Sequence, residues 1–180
     1  MLISEIMKKV CHLTLLTGLS LFFSIQAIGQ NVLKVNAGGL LFGAGSLSFE
    51  RFVNETISAQ ADAVLHYRTL DGLDFSGGGF ALSLRRYFTD RDRPGGLYAS
   101  FGAGYNFVSF NDIQDEYFNY SFPSFSLQIG HQWKLSRFSL ELGVGGQYGY
   151  IRSLPDSSLT EEFYGDGIWP MLSLGAGYIF

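Results

Sequence analysis

The chain has 180 residues and a formal charge of −4, and 16% of it is charged, against about a quarter of an ordinary soluble domain. Aromatic residues also make up 16%, and there are 23 glycines. That balance argues against a surface wetted on all sides, and the acidic excess without a basic stripe excludes nucleic acid as a partner.

Lys8 and Lys9 precede an apolar stretch at residues 10–23, and Ala27 and Gly29 stand at the spacing a signal peptidase reads. Residues 1–29 are therefore expected to be a cleaved signal peptide and residues 30–180 the exported domain. A retained membrane anchor is the competing reading, and Met7 is a second candidate start. The lone cysteine, Cys11, would leave with the signal, so neither a disulfide framework nor a cysteine nucleophile is expected. Beyond this stretch no uninterrupted apolar run reaches the ~20 residues of a helical span.

The remainder of the chain alternates with a period of two, the mark of strands lying between two different environments. The first segment, residues 32–41, sets Leu33, Val35 and Ala37 against Lys34, Asn36 and Gly38. The second, 46–53, sets Leu47, Phe49 and Val53 against Ser48 and Glu50. In the third, 56–68, Ile57, Ala59, Ala61, Ala63, Leu65 and Tyr67 oppose Ser58, Gln60, Asp62 and His66. The fourth opposes Phe80, Leu82, Leu84 and Phe88 to Ala81, Ser83 and Arg85. The fifth runs Leu97, Ala99, Phe101, Ala103, Tyr105 and Phe107 against Tyr98, Ser100, Gly102, Gly104 and Asn106. The sixth has Phe125, Leu127, Ile129 and Trp133 opposite Ser126, Gln128, Gly130 and Gln132. In the seventh, Phe138, Leu140, Leu142, Val144, Tyr148 and Tyr150 oppose Ser139, Glu141, Gly143, Gly145, Gln147 and Gly149. The eighth closes the chain with Leu172, Leu174, Ala176, Tyr178 and Phe180 against Met171, Ser173, Gly175, Gly177 and Ile179. No segment shows a comparable helical period.

The composition of the two faces decides which one points out. With the apolar set inward, as in a soluble lipocalin-like barrel, the outside would be Gly, Ser and Gln with too few charges, and the inside would be overfilled with Phe and Tyr. Reversed, bulky apolar groups meet lipid and small polar ones fill the narrow lumen of an eight-stranded barrel. Lipid also forbids open sheet edges, so the sheet must close. The expected fold is all-β, an eight-stranded antiparallel up-and-down transmembrane β-barrel.

Connections at 54–55, 89–96 and 135–136 are shorter than those at 69–77, 111–121 and 153–167, the pattern of periplasmic turns and outer loops, with the first outer linker, near "FGAG", the short exception. An even strand count then puts both termini in the periplasm. Acids such as Asp71, Asp112, Asp115, Glu116, Glu161 and Glu162 collect in the long loops, and bases such as Arg51, Arg86, Arg91, Lys134 and Arg137 at the turns. Tyr67, Tyr105, Phe107, Tyr148 and Tyr150 mark an outer aromatic girdle, and Phe88, Trp133, Phe138, Tyr178 and Phe180 an inner one.

Across residues 30–180 this pattern resembles the small eight-stranded outer-membrane barrels of the OmpA/OmpX type, in the form of a Bacteroidota outer-membrane β-barrel protein. Leu172, Leu174, Ala176, Tyr178 and terminal Phe180 match that family's C-terminal insertion signal. The resemblance implies a cell outer-membrane location, contact with outer-membrane lipids and lipopolysaccharide, and the barrel-assembly machinery as a partner during insertion. It implies no activity, because such barrels serve as anchors, adhesins, receptors and enzymes.

Lys34, Glu50, Asp62, Arg85 and Glu141 share lumen parity and lie nearer the turns than the loops, so one ion network across the lumen is expected. Charges inside a narrow barrel need partners, which makes a structural plug the leading reading and a proton or ion gate the rival. His66 faces the lumen near the outer end without a nucleophile that spacing can supply, and the His-x-Ser pattern of lipid A deacylases is missing. His131 has outward parity beside Trp133 and reads as an interfacial side chain. The acidic runs "NDIQDE" and "PDSSLTEEFYGD" offer carboxylates suited to Ca²⁺ but lack the spacing of a calcium loop, so no metal and no cofactor are expected. Tyr117, Phe118, Tyr120, Phe163 and Tyr164 among those acids suggest a surface for an extracellular ligand or protein. "GGLLFGAG" and "SGGGF" resemble phosphate loops only superficially, since no helix follows either. The expected role is structural or loop-mediated and non-enzymatic, with no catalytic residues. The alternatives are a lipid A deacylase or acyltransferase and, behind it, a narrow pore.

Overall fold

Alternating residues with β-branched, aromatic and glycine content pair here into one continuous sheet. In the computed structural model, residues 30–70, 73–88, 95–111, 117–153 and 164–180 are described. They form β1 (Asn31–Asn36), a 3-10 helix (Gly38–Phe42), β2 (Ala44–Phe52), β3 (Ile57–Leu70) and β4 (Leu73–Tyr87), then β5 (Gly96–Asn111), β6 (Tyr117–Leu135), β7 (Phe138–Ser153) and β8 (Tyr164–Ile179). Each strand is antiparallel to its neighbour in sequence, and β8 returns to β1, so the barrel is closed. The seam ends on two backbone bonds of 3.0 Å, Asn31 N–H to Phe180 O and Phe180 N–H to Asn31 O.

The registers define the barrel's shape. Paired neighbours lead from Lys34 through Ser48, Asp62, Ala81, Gly104, Ser124 and Gly149 to Gly167, whereas Lys34 itself pairs with Gly177 across the seam. The mismatch of ten residues between Gly167 and Gly177 is the stagger that tilted strands require on closure. A row of pairing partners therefore climbs from the end holding the turns toward the end holding the loops. Residues at one level of the lumen are not register partners.

The faces follow the alternation. Leu65, Leu82 and Leu127 are 72%, 66% and 66% exposed, while Glu50 and Gln132 are fully buried inside. The interior at the turn end is apolar, built from Val32, Phe52, Tyr87, Tyr98 and Ile179. Phe52 and Tyr87 rings pack at 5.1 Å, and Tyr87 and Tyr98 at 5.6 Å.

Several boundaries differ from the expected ones. β1 stops at Asn36 and the chain tightens into the 3-10 helix, because Gly38 and Gly39 approach Leu174 and Ala44 too closely for a side chain and Gly43 takes φ 84°. The Asn36 side chain accepts the N–H groups of Gly38 and Leu174, both at 3.1 Å, and so ends the β1 ladder. The last hairpin turn is Ser136–Arg137 rather than 135–136, with Ser136 at φ 60°. The expected long loops at 69–77 and 111–121 are more than half strand and the one at 153–167 is a third strand, leaving 71–72, 112–116 and 154–163, besides the 37–43 connection, outside the described strands on that side. Apolar–polar alternation fades there, while hydrogen-bonded pairing continues. Pro123 sits in this stretch, and pairing of β6 with β7 skips residues 122–123 because proline has no N–H to give.

Candidate functional site

The barrel's charged interior is built one residue per strand. β1 supplies Lys34, β2 Glu50, β4 Arg85 and β7 Glu141, each a few residues from the turn end of its strand. The climb of the pairing rows puts these four on one level, although none is a register partner of another. Lys34 Nζ stands 2.6 Å from Glu50 Oε2 and 2.7 Å from Glu141 Oε2. Arg85 grips Glu141 with both arms, Nη1 to Oε2 at 2.6 Å and Nη2 to Oε1 at 3.0 Å. Two cations thus face two carboxylates, and the cluster is neutral as a unit. Such bidentate, charge-assisted contacts are the strong class of hydrogen bond.

Neutral groups complete the cluster, and sequence reasoning did not single them out. Tyr98 donates to Glu141 Oε1 at 2.8 Å, and the Arg85 guanidinium lies 4.5 Å over its ring. Tyr87 donates to Glu50 Oε1 at 2.8 Å and to Gln132 Oε1 at 3.1 Å. Lys34 donates to Gln132 Oε1 at 2.9 Å, Ser58 donates to Glu50, and Ser173 to Glu141. Tyr98 reaches across two strands because Gly130 and Gly143 leave room, with a built Cβ falling 2.5 and 2.8 Å from its hydroxyl. Lumen parity was the available signal for Tyr87, Tyr98 and Gln132.

Asp62 stands apart from the other four. It accepts from Ser48 and from Gln60 Nε2 at 2.7 Å, both onto Oδ1, and makes no ion pair among the described residues. The tilt explains it. Asp62 shares a pairing row with Lys34, and that row has climbed toward the loops by the time it reaches β3.

Above the cluster lies a chamber of roughly 200 Å³ whose lining includes Asp62, Arg85, Ser100, Asn106, Gln128 and Gln147. His66 also lines it, its Nε2 3.0 Å from Asn106 Oδ1, and Asn106 donates on to Ser124. This bridge passes over β4 where "SGGGF" lies, since a Cβ on Gly79 would fall 2.5 Å from Asn106 Oδ1. Those glycines belong to a strand, not a phosphate loop, and "GGLLFGAG" spans the 3-10 helix, Gly43 and the start of β2. His131 turns outward and its ring lies 4.6 Å from that of Trp133.

Leu174, Ala176, Tyr178 and Phe180 all face outward on β8, with Leu172 half-buried. Phe138 meets Tyr178 edge-on at 5.7 Å, and Phe180 lies 6.4 Å from Phe49 across the seam. The expected signal peptide and most of both acidic runs fall outside the described residues, as do Arg91 and Arg93.

No protein-family model matches the chain, and no curated protein matches it. Among solved structures it is similar to a major outer membrane protein from Thermus thermophilus, at 16% identity over 86% of this chain and 100% of that one, with a TM-score of 0.49.

Proposed function

We propose that the protein is an integral outer-membrane β-barrel of the OmpA/OmpX type that acts through its structure and its loops, without catalysis. The belt of exposed apolar side chains carries this reading. Leucine, valine, isoleucine and phenylalanine project outward from every strand of a closed sheet whose cluster of four charges points inward. A soluble monomer seldom exposes a contiguous apolar patch beyond a few hundred Å². In hydrocarbon the same belt is in its preferred solvent, and a closed sheet leaves no open edge. Exposed Phe88, Trp133, Phe138 and Tyr178 at one end and Tyr67, Phe107, Tyr148 and Tyr150 at the other supply rings for both interfaces.

The same reading places residues 1–29 as the export signal and both termini in the periplasm, with the acidic hairpin ends outside. Lipid and lipopolysaccharide surround the belt, the barrel-assembly machinery reads the outward-facing residues of β8, and an extracellular ligand or protein meets the loops. His66 favours the non-catalytic reading over a lipid deacylase or acyltransferase, because it turns into the lumen and hydrogen-bonds Asn106, away from the face that lipid covers. An epitope inserted at 154–163 should be bound by antibody on intact cells, and one at 54–55 only after permeabilisation. Recovery of the protein from a detergent-free soluble fraction would overturn the assignment.

A further inference from the structure

The chamber above the ionic cluster is blind. Lys34, Glu50, Arg85 and Glu141 close it toward the turns, with Val32, Phe52, Tyr87, Tyr98 and Ile179 packed around and beneath them. Among the described residues, the opening left is at the loop end. The chamber walls are mostly polar and uncharged, with Ser83, Ser100, Ser124, Ser126, Gln128 and Gln147 offering hydroxyls and amides beside Asp62, His66 and Arg85. Beneath the floor, Arg85 Nε and Gln60 Oε1 have no hydrogen-bond partner, and both atoms are closed off from the chamber itself. One is a donor and the other an acceptor, and an unanswered buried polar group of either kind costs free energy.

One step nearer the loops, an aromatic lip overhangs this space. Trp169 of β8 and Phe122 of β6 share lumen parity, and their rings lie 6.1 Å apart. The indole lies across Gly149 and Gly167, where a built Cβ would come within 2.8 and 3.2 Å of its ring carbons. It remains 39% exposed. Both residues fall one inward position beyond chamber-lining ones, Trp169 beyond Met171 and Phe122 beyond Ser124. The exposed part of the indole presents an apolar, aromatic face that an occupant can cover.

We propose that this lip and chamber form a binding site, entered from the loop side, for a small neutral saccharide. A pyranose presents an apolar C–H face and a rim of hydroxyls that both donate and accept. The C–H face suits the indole of Trp169, and the hydroxyls suit Gln147, Gln128 and the wall serines. The chamber lies below the ~300–1,000 Å³ of sites for larger ligands, so it admits a single sugar unit, with any further unit lying toward the loops. The proposal deepens the reading of the protein as a surface barrel and takes the direction of entry from it.

The test uses the full-length protein folded in a detergent without a sugar headgroup. The chain has only two tryptophans, Trp133 and Trp169, so Trp133→Phe makes emission report on the lip alone. Glucose, galactose, mannose and maltose are titrated to about 0.1 M, which reaches sites far weaker than the ~1 mM end of ordinary affinities. At least one should give a saturable change in Trp169 emission, and Gln147→Ala should weaken it about tenfold while the folded band on an unheated gel persists. In isothermal titration the Trp169→Ala protein should release no binding heat. No saturable response from any of the four sugars, or binding that survives Trp169→Ala, would overturn the proposal. The heat-shifted band reports the barrel independently, so a failure of the site and a failure of the membrane reading are separately visible.

Discussion

Glu141 receives four side chains at once: Lys34, Arg85, Tyr98 and Ser173 all bond to its two oxygens. Its removal leaves two buried cations facing one carboxylate. Glu141→Ala is expected to destabilise the barrel by about 3–5 kcal/mol, the range for breaking a buried ion pair by deleting one partner. Urea unfolding in lipid vesicles, followed by tryptophan emission, measures it. Arg85→Ala separates plug from passage. Wild type should be closed in planar bilayers, and the variant should conduct, since the guanidinium both bridges to Glu141 and covers Tyr98. Unchanged closure would assign the seal to the apolar layer of Phe52, Tyr87 and Val32 instead. Parity alone placed Lys34, Glu50, Arg85 and Glu141 inside. It could not show that Asp62 is lifted out of their company, because that depends on strand tilt.

At the scale of the element, each strand couples an outward apolar series to a lumen series, and the second is where glycine has a purpose. β6 and β7 carry Gly130 and Gly143 side by side, which lets the Tyr98 ring lie flat against the wall and reach Glu141. Gly143→Val should cost about 1–3 kcal/mol by overpacking. The cost should fall in the double variant with Tyr98→Ala, a coupling that thermal unfolding of the four proteins would read. Strand ends were less legible. Residues 117–121 and 164–167 read as loop because Tyr, Asn, Ser and Gly there lack a clear apolar face. Their pairing is nonetheless continuous with the barrel wall, apart from the gap at Pro123, and it carries Phe122 and Trp169 into the lumen mouth.

For the molecule as a whole, the deciding quantity is the solvent outside the cylinder. Leu127 lies midway along the exposed belt of β6. Leu127→Arg should cost about 2–4 kcal/mol in a bilayer, as cations do at the midplane of such barrels. On a surface facing water the same change would fall within about 0.5 kcal/mol. Vesicle-based unfolding of the variant against wild type distinguishes the two.

Two-residue alternation, sparse charge and glycine-rich lumen positions were enough to determine an eight-stranded closed sheet and which of its faces is apolar, because burial in a strand is a local property of parity. The meeting of Lys34 with Glu50 and Glu141, the separation of Asp62, and the lip of Trp169 over Gly149 were decided only by tertiary structure. Closure with a ten-residue stagger sets which residues share a level, and no single strand contains that displacement.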